Sequence, residues 1–156
     1  MRAIHKVLVV DDDPVVGKSF NRVLSNKGYA VITAANAHEA LTKLKEGGFD
    51  AVFTDIRMPG MDGLELAERV KARTPWTPVV IITGYGTEAN VARAKAAGVT
   101  TFLQKPLSPE MIEDSAADAT RVAAPVVARI ESRHVEMPVV APVVKENALK
   151  NIALFI

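Results

Sequence analysis

The stretch Val-Leu-Val-Val-Asp-Asp-Asp-Pro, residues 7–14, is the most informative segment of this sequence. Its first four residues are apolar and mostly β-branched, which is typical of a short strand buried on both faces of a parallel sheet. The run ends abruptly in the acids at 11–13, and Pro14 then stands where proline favours the first position of a helix. The stretch therefore predicts a buried strand that ends in a cluster of carboxylates and leads into a helix.

The same order of strand and helix recurs along the chain. The predicted strands are Val7 to Val10, Ala30 to Ala34, Asp50 to Thr54, Val79 to Ile82 and Thr100 to Gln104. Each strand is followed by residues whose apolar spacing or capping favours a helix. The last helix is expected to end near Val122. Strict alternation of this kind predicts an α/β fold, a doubly wound parallel sheet with helices on both faces.

The character of the sequence changes after residue 122. Segments such as Ala124-Pro125-Val126-Val127 and Met137-Pro138-Val139-Val140 are punctuated by proline and rich in valine. We expect residues 1–122 to form one domain and residues 123–156 to form a C-terminal extension that is helical in part. Three interpretations of this extension stay open: it packs on a second subunit, it folds back over its own domain, or it begins a membrane-proximal segment of a longer chain.

The bulk composition excludes several classes of protein. The 156 residues carry a formal net charge of +1, and 24% of them are charged, so nothing demands nucleic acid or an anionic membrane as a partner. Cysteine is absent, which excludes disulfides and thiolate zinc sites. The N-terminal apolar run is too short for a signal peptide, and no unbroken apolar run of membrane-spanning length occurs. We expect a cytoplasmic protein, associated with a membrane only if the chain continues past residue 156.

Polar side chains follow four of the predicted strands at the point where each strand ends. Asp11 to Asp13 follow the first, Asp55 the third, Thr83 the fourth and Lys105 the fifth. In an open parallel sheet the ligand crevice lies outside these carboxyl ends, so the side chains are expected to converge. Clustered carboxylates repel one another, and Mg²⁺ prefers carboxylates, waters and phosphate oxygens as ligands. The pattern therefore predicts a Mg²⁺ site that also faces a phosphoryl group.

These residue types suit phosphoryl transfer to an aspartate. An Asp carboxylate can act as nucleophile and form an aspartyl-phosphate. Negative charge then spreads over the phosphoryl oxygens, where Mg²⁺, the Lys105 ammonium and the Thr83 hydroxyl would stabilise it.

Four stretches carry a resemblance to a known family. They are Val-Leu-Val-Val-Asp-Asp-Asp-Pro (7–14), Phe-Thr-Asp-Ile-Arg-Met-Pro-Gly-Met-Asp-Gly (53–63), Val-Ile-Ile-Thr-Gly-Tyr-Gly (80–86) and Phe-Leu-Gln-Lys-Pro-Leu (102–107). Residues 5 to 122 resemble the receiver domains of two-component response regulators, which are CheY-like. The resemblance implies a flavodoxin-like (βα)₅ fold with strand order 2-1-3-4-5.

The resemblance also implies a set of site residues. Asp55 would be the phosphoacceptor, and Mg²⁺ would be held by Asp12, Asp55 and the backbone carbonyl of Arg57. Asp11 would complete the metal site by orienting the water shell of the ion. Lys105 would clamp the phosphoryl charge.

Further roles that follow from the resemblance concern switching and phosphate lifetime. Thr83 and Phe102 would form the switch pair, and the peptide bond before Pro106 would be cis. Arg57 and Tyr85 occupy the two positions that tune loss of the phosphoryl group in the family. Because both are bulky, we expect slower autodephosphorylation than with small residues there.

The function implied is that of a phosphorylation switch rather than an enzyme, although the domain assists its own phosphorylation and autodephosphorylation. The donor would be the phosphohistidine of a sensor histidine kinase or a phosphotransfer protein. Phosphorylation would reshape the face formed by helix 4, strand 5 and helix 5. We further expect an output partner that the sequence does not identify, a homodimer as one form of assembly, and no direct binding of nucleic acid.

Besides a scaffold whose main work lies in residues 123–156 and is regulated by the receiver, two other functions compete with this one. The sequence Asp11-x-Asp13-x-Val15 after a strand also resembles haloacid-dehalogenase-like phosphatases, in which Asp11 would be the nucleophile. That family expects a further acidic pair late in the fold, which is not found after Lys105, and it leaves Asp55 without a role. The other competitor is a pseudo-receiver that binds partners without phosphorylation, against which the full set of Asp, Thr and Lys residues argues.

Three residues near these motifs have simpler interpretations. Asp13 is more typical of an acid in the first turn of a helix than of a metal ligand. Asp62 is expected to cap a helix that begins at Gly63. Trp76, between Pro75 and Pro78, is expected to be a packing anchor rather than a binding platform.

Overall fold

The computed structural model describes residues 4–84 and 86–121 of the chain. Five strands alternate with five helices, as the sequence predicts. The strands are β1 (His5–Val10), β2 (Tyr29–Ala34), β3 (Ala51–Asp55), β4 (Val79–Thr83) and β5 (Thr101–Gln104). The helices are α1 (Pro14–Leu24), α2 (Ala37–Glu46), α3 (Gly63–Arg73), α4 (Glu88–Ala96) and α5 (Pro109–Arg121). The extension predicted for residues 123–156 lies outside the described residues.

All five strands pair in parallel in the order β2-β1-β3-β4-β5, which confirms the predicted flavodoxin-like topology. The register aligns Val10 with Thr54 and Asp55 with Ile82, so β1, β3 and β4 end at the same edge of the sheet. Asp11 and the end of β3 are therefore neighbours in space, although 44 residues separate Asp11 from Asp55 in the sequence. This edge is where the ligand crevice of an open parallel sheet lies.

Alternate residues of the strands supply two separate cores, one on each face of the sheet. Leu8 and Val52 pack with the cluster that α2, α3 and α4 cover, which includes Leu66. Val7 and Phe53 pack with the cluster that α1 and α5 cover. Burial on both faces explains why the central strands are continuous apolar runs rather than alternating ones.

The helices begin at side-chain caps. Asn36 accepts a hydrogen bond from the Glu39 backbone N–H at 2.8 Å, and the Glu39 carboxylate accepts one from the Ala35 N–H at 2.8 Å, so the two residues form a capping box. Asp62 accepts from the Glu65 N–H at 2.8 Å, which confirms its predicted role at the start of α3. Among the helices of the described residues, none is long and apolar enough to cross a membrane.

Candidate functional site

Three carboxylates meet at the carboxyl edge of the sheet. Asp11 follows β1, Asp12 is the next residue, and Asp55 ends β3. Each offers one carboxylate oxygen such that the three oxygens lie within 4.8 Å of one another. Asp11 and Asp55 are buried, whereas Asp12 is exposed to solvent. The cluster is therefore anchored in the protein on one side and open to a ligand on the other.

The Lys105 ammonium contacts this cluster. Its Nζ donates hydrogen bonds to Asp11 Oδ2 at 3.0 Å and to Asp55 Oδ2 at 3.3 Å. The backbone N–H of Lys105 also donates to the Thr83 carbonyl at 3.0 Å, which ties the end of β5 to the end of β4. The peptide bond from Lys105 to Pro106 is cis. Lys105 is thus held at the site through both its side chain and its backbone.

The charges of the site do not balance. Burial raises the pKa of the Asp11 carboxyl above its usual value, and the nearby Asp55 charge adds to this, although hydrogen bonds from the Asp13 N–H and from Lys105 oppose it. Desolvation acts to lower the pKa of Lys105, but its bonds and charge attraction to Asp11 and Asp55 outweigh that effect, and the net shift is upward. Lys105 therefore stays charged, while Asp11 is incompletely compensated.

A divalent cation fits this environment. One lysine faces three carboxylates, and the oxygen atoms that converge are the hard ligands that Mg²⁺ prefers. Burial first, and the Asp55 charge second, raise the pKa of Asp11, and a bound dication would offset both effects, so the donor set and the charge both suit such an ion.

Asp55 and Asp11 differ in their access to solvent. The Asp55 side chain is 11% exposed, whereas the Asp11 side chain is only 2% exposed. Asp55 Oδ1 accepts from the Ile56 N–H at 2.8 Å, which leaves Oδ2 facing Lys105. Of these two buried acids, Asp55 has the more exposed side chain.

Gly63 supports the position of Asp55, a role that was not predicted from the sequence. A Cβ atom at Gly63 would overlap the backbone carbonyl oxygen of Asp55, and the Gly63 N–H donates to the Ile56 carbonyl at 2.8 Å. Only glycine permits α3 to begin this close to the end of β3. The Asp62-Gly63 pair predicts the start of the helix, but its approach to Asp55 depends on tertiary structure.

A cleft beside the acids brings in residues from the loop after β3 and from α4. Asp12, Arg57, Asp62 and Asn90 are among its lining residues, and Arg57 is exposed. Arg57 therefore lies next to Asp12. It is the residue expected to bind the metal ion through its backbone carbonyl and to tune the lifetime of the phosphoryl group. Tyr85, the other expected tuning residue, lies outside the described residues.

The expected switch residues occupy neighbouring strands. Thr83 is buried at the end of β4. Phe102 on β5 is partly buried against the core cluster that α4 helps to cover, and it pairs with Ile81 in the strand register. Thr83 thus lies at the carboxyl edge of the sheet, and Phe102 lies on the side of the sheet that faces α4.

Asp13 has a different role from the one that its sequence position suggests. It is not in the first turn of α1 but precedes the helix, and its side chain accepts a hydrogen bond from the Val15 N–H at 3.0 Å. The expectation of a first-turn acid is wrong because the backbone of Asp13 is extended, as a helix N-cap requires. Asp13 therefore caps α1, and its carboxylate is not among the three that converge.

Comparisons with known proteins agree with this geometry. A family model described as "Response regulator receiver domain" matches residues 7–117. Transcriptional regulatory protein GlrR of Escherichia coli is 35% identical over 119 residues, which cover 76% of this chain and 27% of GlrR. Transcriptional regulatory protein FixJ of Bradyrhizobium diazoefficiens is 35% identical over 119 residues, which cover 76% of this chain and 58% of FixJ. The chain thus matches less than two thirds of the length of these relatives.

Solved structures show the same fold. The Vibrio cholerae chemotaxis protein CheY4 matches with a TM-score of 0.71 and 33% identity, covering 75% of this chain and 99% of that one. A CheY-like receiver domain from Methanospirillum hungatei matches with a TM-score of 0.72 and 30% identity, covering 78% of this chain and 98% of that one. With its acids, threonine and lysine at the strand ends, this chain belongs to the receiver domain family of two-component response regulators.

Proposed function

We propose that this chain is a phosphoacceptor switch in which Asp55 accepts a phosphoryl group. The observation that carries the proposal is the position of Asp55 at the end of β3, 3.3 Å from the Lys105 Nζ and grouped with Asp11 and Asp12. An accessible carboxylate beside a lysine and two further acids is suited to nucleophilic attack on phosphorus.

We infer that Mg²⁺ assists the reaction. Asp12, Asp55 and the backbone carbonyl of Arg57 would hold the ion, with Asp11 orienting its water shell. When bound, Mg²⁺ would supply positive charge that neutralises the carboxylates and the phosphoryl oxygens. The support is the convergence of the three carboxylates within 4.8 Å and the raised pKa of Asp11.

The phosphoryl donor in this proposal is the phosphohistidine of a sensor histidine kinase or a phosphotransfer protein. An Asp55 carboxylate oxygen attacks the phosphorus in line, the P–O bond forms, and the P–N bond to the imidazole breaks. The imidazole nitrogen keeps the electron pair of that bond, and the ring leaves as neutral imidazole because its other nitrogen carries a proton. Lys105, already hydrogen-bonded to Asp55, donates to a phosphoryl oxygen and stabilises the added charge.

The switch in this proposal runs from Thr83 to Phe102. The Thr83 hydroxyl donates to a phosphoryl oxygen, and Phe102 moves into the space that Thr83 leaves. Phe102 then changes the face formed by α4, β5 and α5. Such a two-state element needs only a few kcal/mol of differential stabilisation. Partial burial of Phe102 against the α4 side of the core supports this route.

The phosphoryl group is proposed to be long-lived because Arg57 and Tyr85 shield it from water. Arg57 lines the cleft beside Asp12, which is the side from which water would approach. The half-life of the phosphorylated protein should therefore be longer than that of the Arg57→Ala, Tyr85→Ala variant. Equal or shorter half-lives in the wild type would refute shielding.

Assembly, output and location are also proposals. We propose a cytoplasmic site of action, because the kinase that phosphorylates the receiver takes its phosphoryl group from ATP. We also propose a homodimer and an output partner. Several curated relatives are named transcriptional regulatory proteins, so the expectation that nucleic acid is not contacted directly gains no support from them. Membrane association stays a prediction tied to sequence past residue 156.

Intact-mass spectrometry after incubation with acetyl phosphate and Mg²⁺ tests the proposal. A single phosphoryl adduct is expected on the wild type, absent with EDTA and absent on Asp55→Asn. Asp13→Asn is the matched control, because it removes a carboxylate next to the cluster while asparagine keeps the cap of α1. It should be phosphorylated like the wild type. No adduct on a folded wild type would favour the pseudo-receiver, and an adduct on Asp55→Asn would favour Asp11 and the phosphatase.

A further inference from the structure

The end of the sheet opposite to Asp55 carries an exposed tryptophan. Trp76 lies in the loop between α3 and β4, at the amino-terminal edge of the strands, and it is 75% exposed. The expectation that Trp76 is a packing anchor is therefore wrong: the loop between Pro75 and Pro78 directs the indole outward. Tryptophan is enriched at the centres of protein interfaces, so an indole this exposed is a candidate contact for a partner.

An apolar cavity lies beside this tryptophan. It has a volume of about 240 Å³, and its apolar lining comes from α2, α3 and the loops that follow them. The residues of this lining are Leu41, Leu44, Phe49, Val70 and Trp76. Gly47 and Gly48 end α2 at the rim, and the absence of side chains there keeps the cavity open. We call the cavity and the exposed face of Trp76 the Trp76 groove.

The charged residues that line the Trp76 groove are both arginines. Arg69 and Arg73 line it, and none of its lining residues, all within the described part of the chain, is acidic. Arg69 pairs with Glu65 at 2.9 Å, whereas Arg73 is exposed and forms no ion pair with the residues that the structure describes. Arg73 is therefore available to a carboxylate from outside, for which the planar guanidinium is well suited.

We propose that the Trp76 groove docks a peptide segment of a partner protein that carries a large apolar side chain flanked by acidic residues. The cavity is below the size of sites for drug-sized ligands and suits one large side chain. A chain segment can also cover the exposed indole beside the cavity, which a small molecule of that volume cannot. The unpaired Arg73 sets the sign of the flanking charge.

A second copy of this chain is the competing occupant. Val15 is 61% exposed and follows Asp12 and Asp13, so the start of α1 also presents an apolar side chain next to acids. Contact of that patch with the groove of the next copy would run head to tail and build an open chain of copies. It would also cover the acid cluster, which conflicts with phosphorylation, so we favour a different protein.

Trp76 itself reports on the proposal because it is the only tryptophan in the sequence. The probe is a short synthetic peptide with one phenylalanine and one leucine among aspartates, added to the 156-residue chain. A saturable blue shift of the Trp76 emission is expected, since binding moves the indole out of water. The same peptide with lysines in place of aspartates should bind at least about tenfold more weakly, because it faces Arg73 with like charge.

Variants are compared by fluorescence anisotropy of the labelled acidic peptide. Trp76→Ala and Arg73→Glu should each weaken binding at least about tenfold. Gly48→Leu tests the groove without changing Trp76 or Arg73. A Cβ atom at Gly48 meets nothing within 4 Å, so leucine there adds a large side chain to the lining of the groove and should also weaken binding. Val15→Ala, an exposed apolar residue at the other end of the molecule, is the matched control and should bind like the wild type.

Several results of these binding experiments would contradict the proposed peptide site. No emission change with the acidic peptide, or equal affinity for the lysine peptide, would overturn the proposal. So would unchanged binding by both Arg73→Glu and Gly48→Leu once circular dichroism shows that they are folded. Association of the chain with itself that is lost in Val15→Ala would assign the groove to a second copy instead.

Discussion

Replacement of Gly63 by alanine is expected to impair phosphorylation of Asp55 more than it impairs folding. The added Cβ would overlap the backbone carbonyl oxygen of Asp55, and its next neighbours are also backbone atoms, from Asp55 and Ile56. A backbone carbonyl cannot turn aside as the end of a flexible side chain can. Relief therefore requires the start of α3 and the end of β3 to move apart.

Two effects on stability oppose each other in Gly63→Ala. Overpacking of a closely fitted site costs about 1–3 kcal/mol. Alanine gains up to about 1 kcal/mol over glycine in a helix, and Gly63 is the first residue of α3. The free energy of unfolding should therefore fall by about 0–3 kcal/mol, which is less than the total stability of a typical domain.

The effect on the reaction should be larger, because Asp55 itself is displaced. Restoring an ordinary contact moves its backbone by about 1 Å, and a misplacement of this size in a reacting group can cost about a hundredfold in rate. The rate of phosphorylation by acetyl phosphate, followed by intact mass, and urea unfolding, followed by circular dichroism, measure the two effects.

Gly48→Ala is the matched control for this substitution. A Cβ at Gly48 meets nothing within 4 Å, and the residue lies at the other end of the sheet. Its stability should be unchanged or increased by up to about 1 kcal/mol, and its phosphorylation rate should equal that of the wild type. The reasoning would be refuted if Gly63→Ala were phosphorylated as fast as Gly48→Ala.

Three further predictions follow from the hydrogen bonds and ion pairs. Lys105→Met should slow phosphorylation by about a hundredfold because a donor to the phosphoryl oxygens is lost. The affinity of this variant for Mg²⁺, measured by calorimetry, should not fall, since the competing cation is gone. A lower affinity for Mg²⁺ would contradict this account. Glu68 pairs with Arg93 through hydrogen bonds of 2.9 and 3.0 Å that lower the pKa of Glu68, so the stabilisation is present near neutral pH and is lost as the pH falls through the lowered value. The coupling free energy between Glu68→Gln and Arg93→Gln, measured by urea unfolding, should therefore vanish in acid and shrink in high salt. A coupling free energy that is insensitive to pH would refute the pairing. Asn36→Ala should lower the free energy of unfolding by about 1 kcal/mol, as the loss of a helix cap does, with Asn36→Asp as a near-neutral control.

Much of the fold was accessible from the sequence because its signals are local. Each central strand is a short apolar run, and each end is marked by a polar residue, as with Asp11, Asp55 and Thr83. Those residues come together because parallel strands share a carboxyl edge, so knowledge of the strand ends is enough to group them. The caps of α2 and α3 were predictable for the same reason, since a cap depends on residues three positions apart.

Other features depend on distances that no local pattern encodes. The closeness of Gly63 to Asp55 arises from the angle at which α3 leaves β3. The pairing of Glu68 with Arg93 joins residues 25 positions apart on α3 and α4, and it depends on how these helices lie together. Trp76 was expected to pack because it is large and apolar, but its loop directs it to solvent.

The most direct test of the central claim identifies the residue that carries the phosphoryl group. Reduction of the phosphorylated protein with borohydride converts an aspartyl-phosphate to homoserine, which peptide mass spectrometry then locates. Homoserine at position 55, absent when acetyl phosphate is omitted and still formed in Asp13→Asn, is the result expected. Homoserine at position 11 or 12, or none in a protein that carries the phosphoryl adduct, would contradict the assignment of Asp55 as the phosphoacceptor.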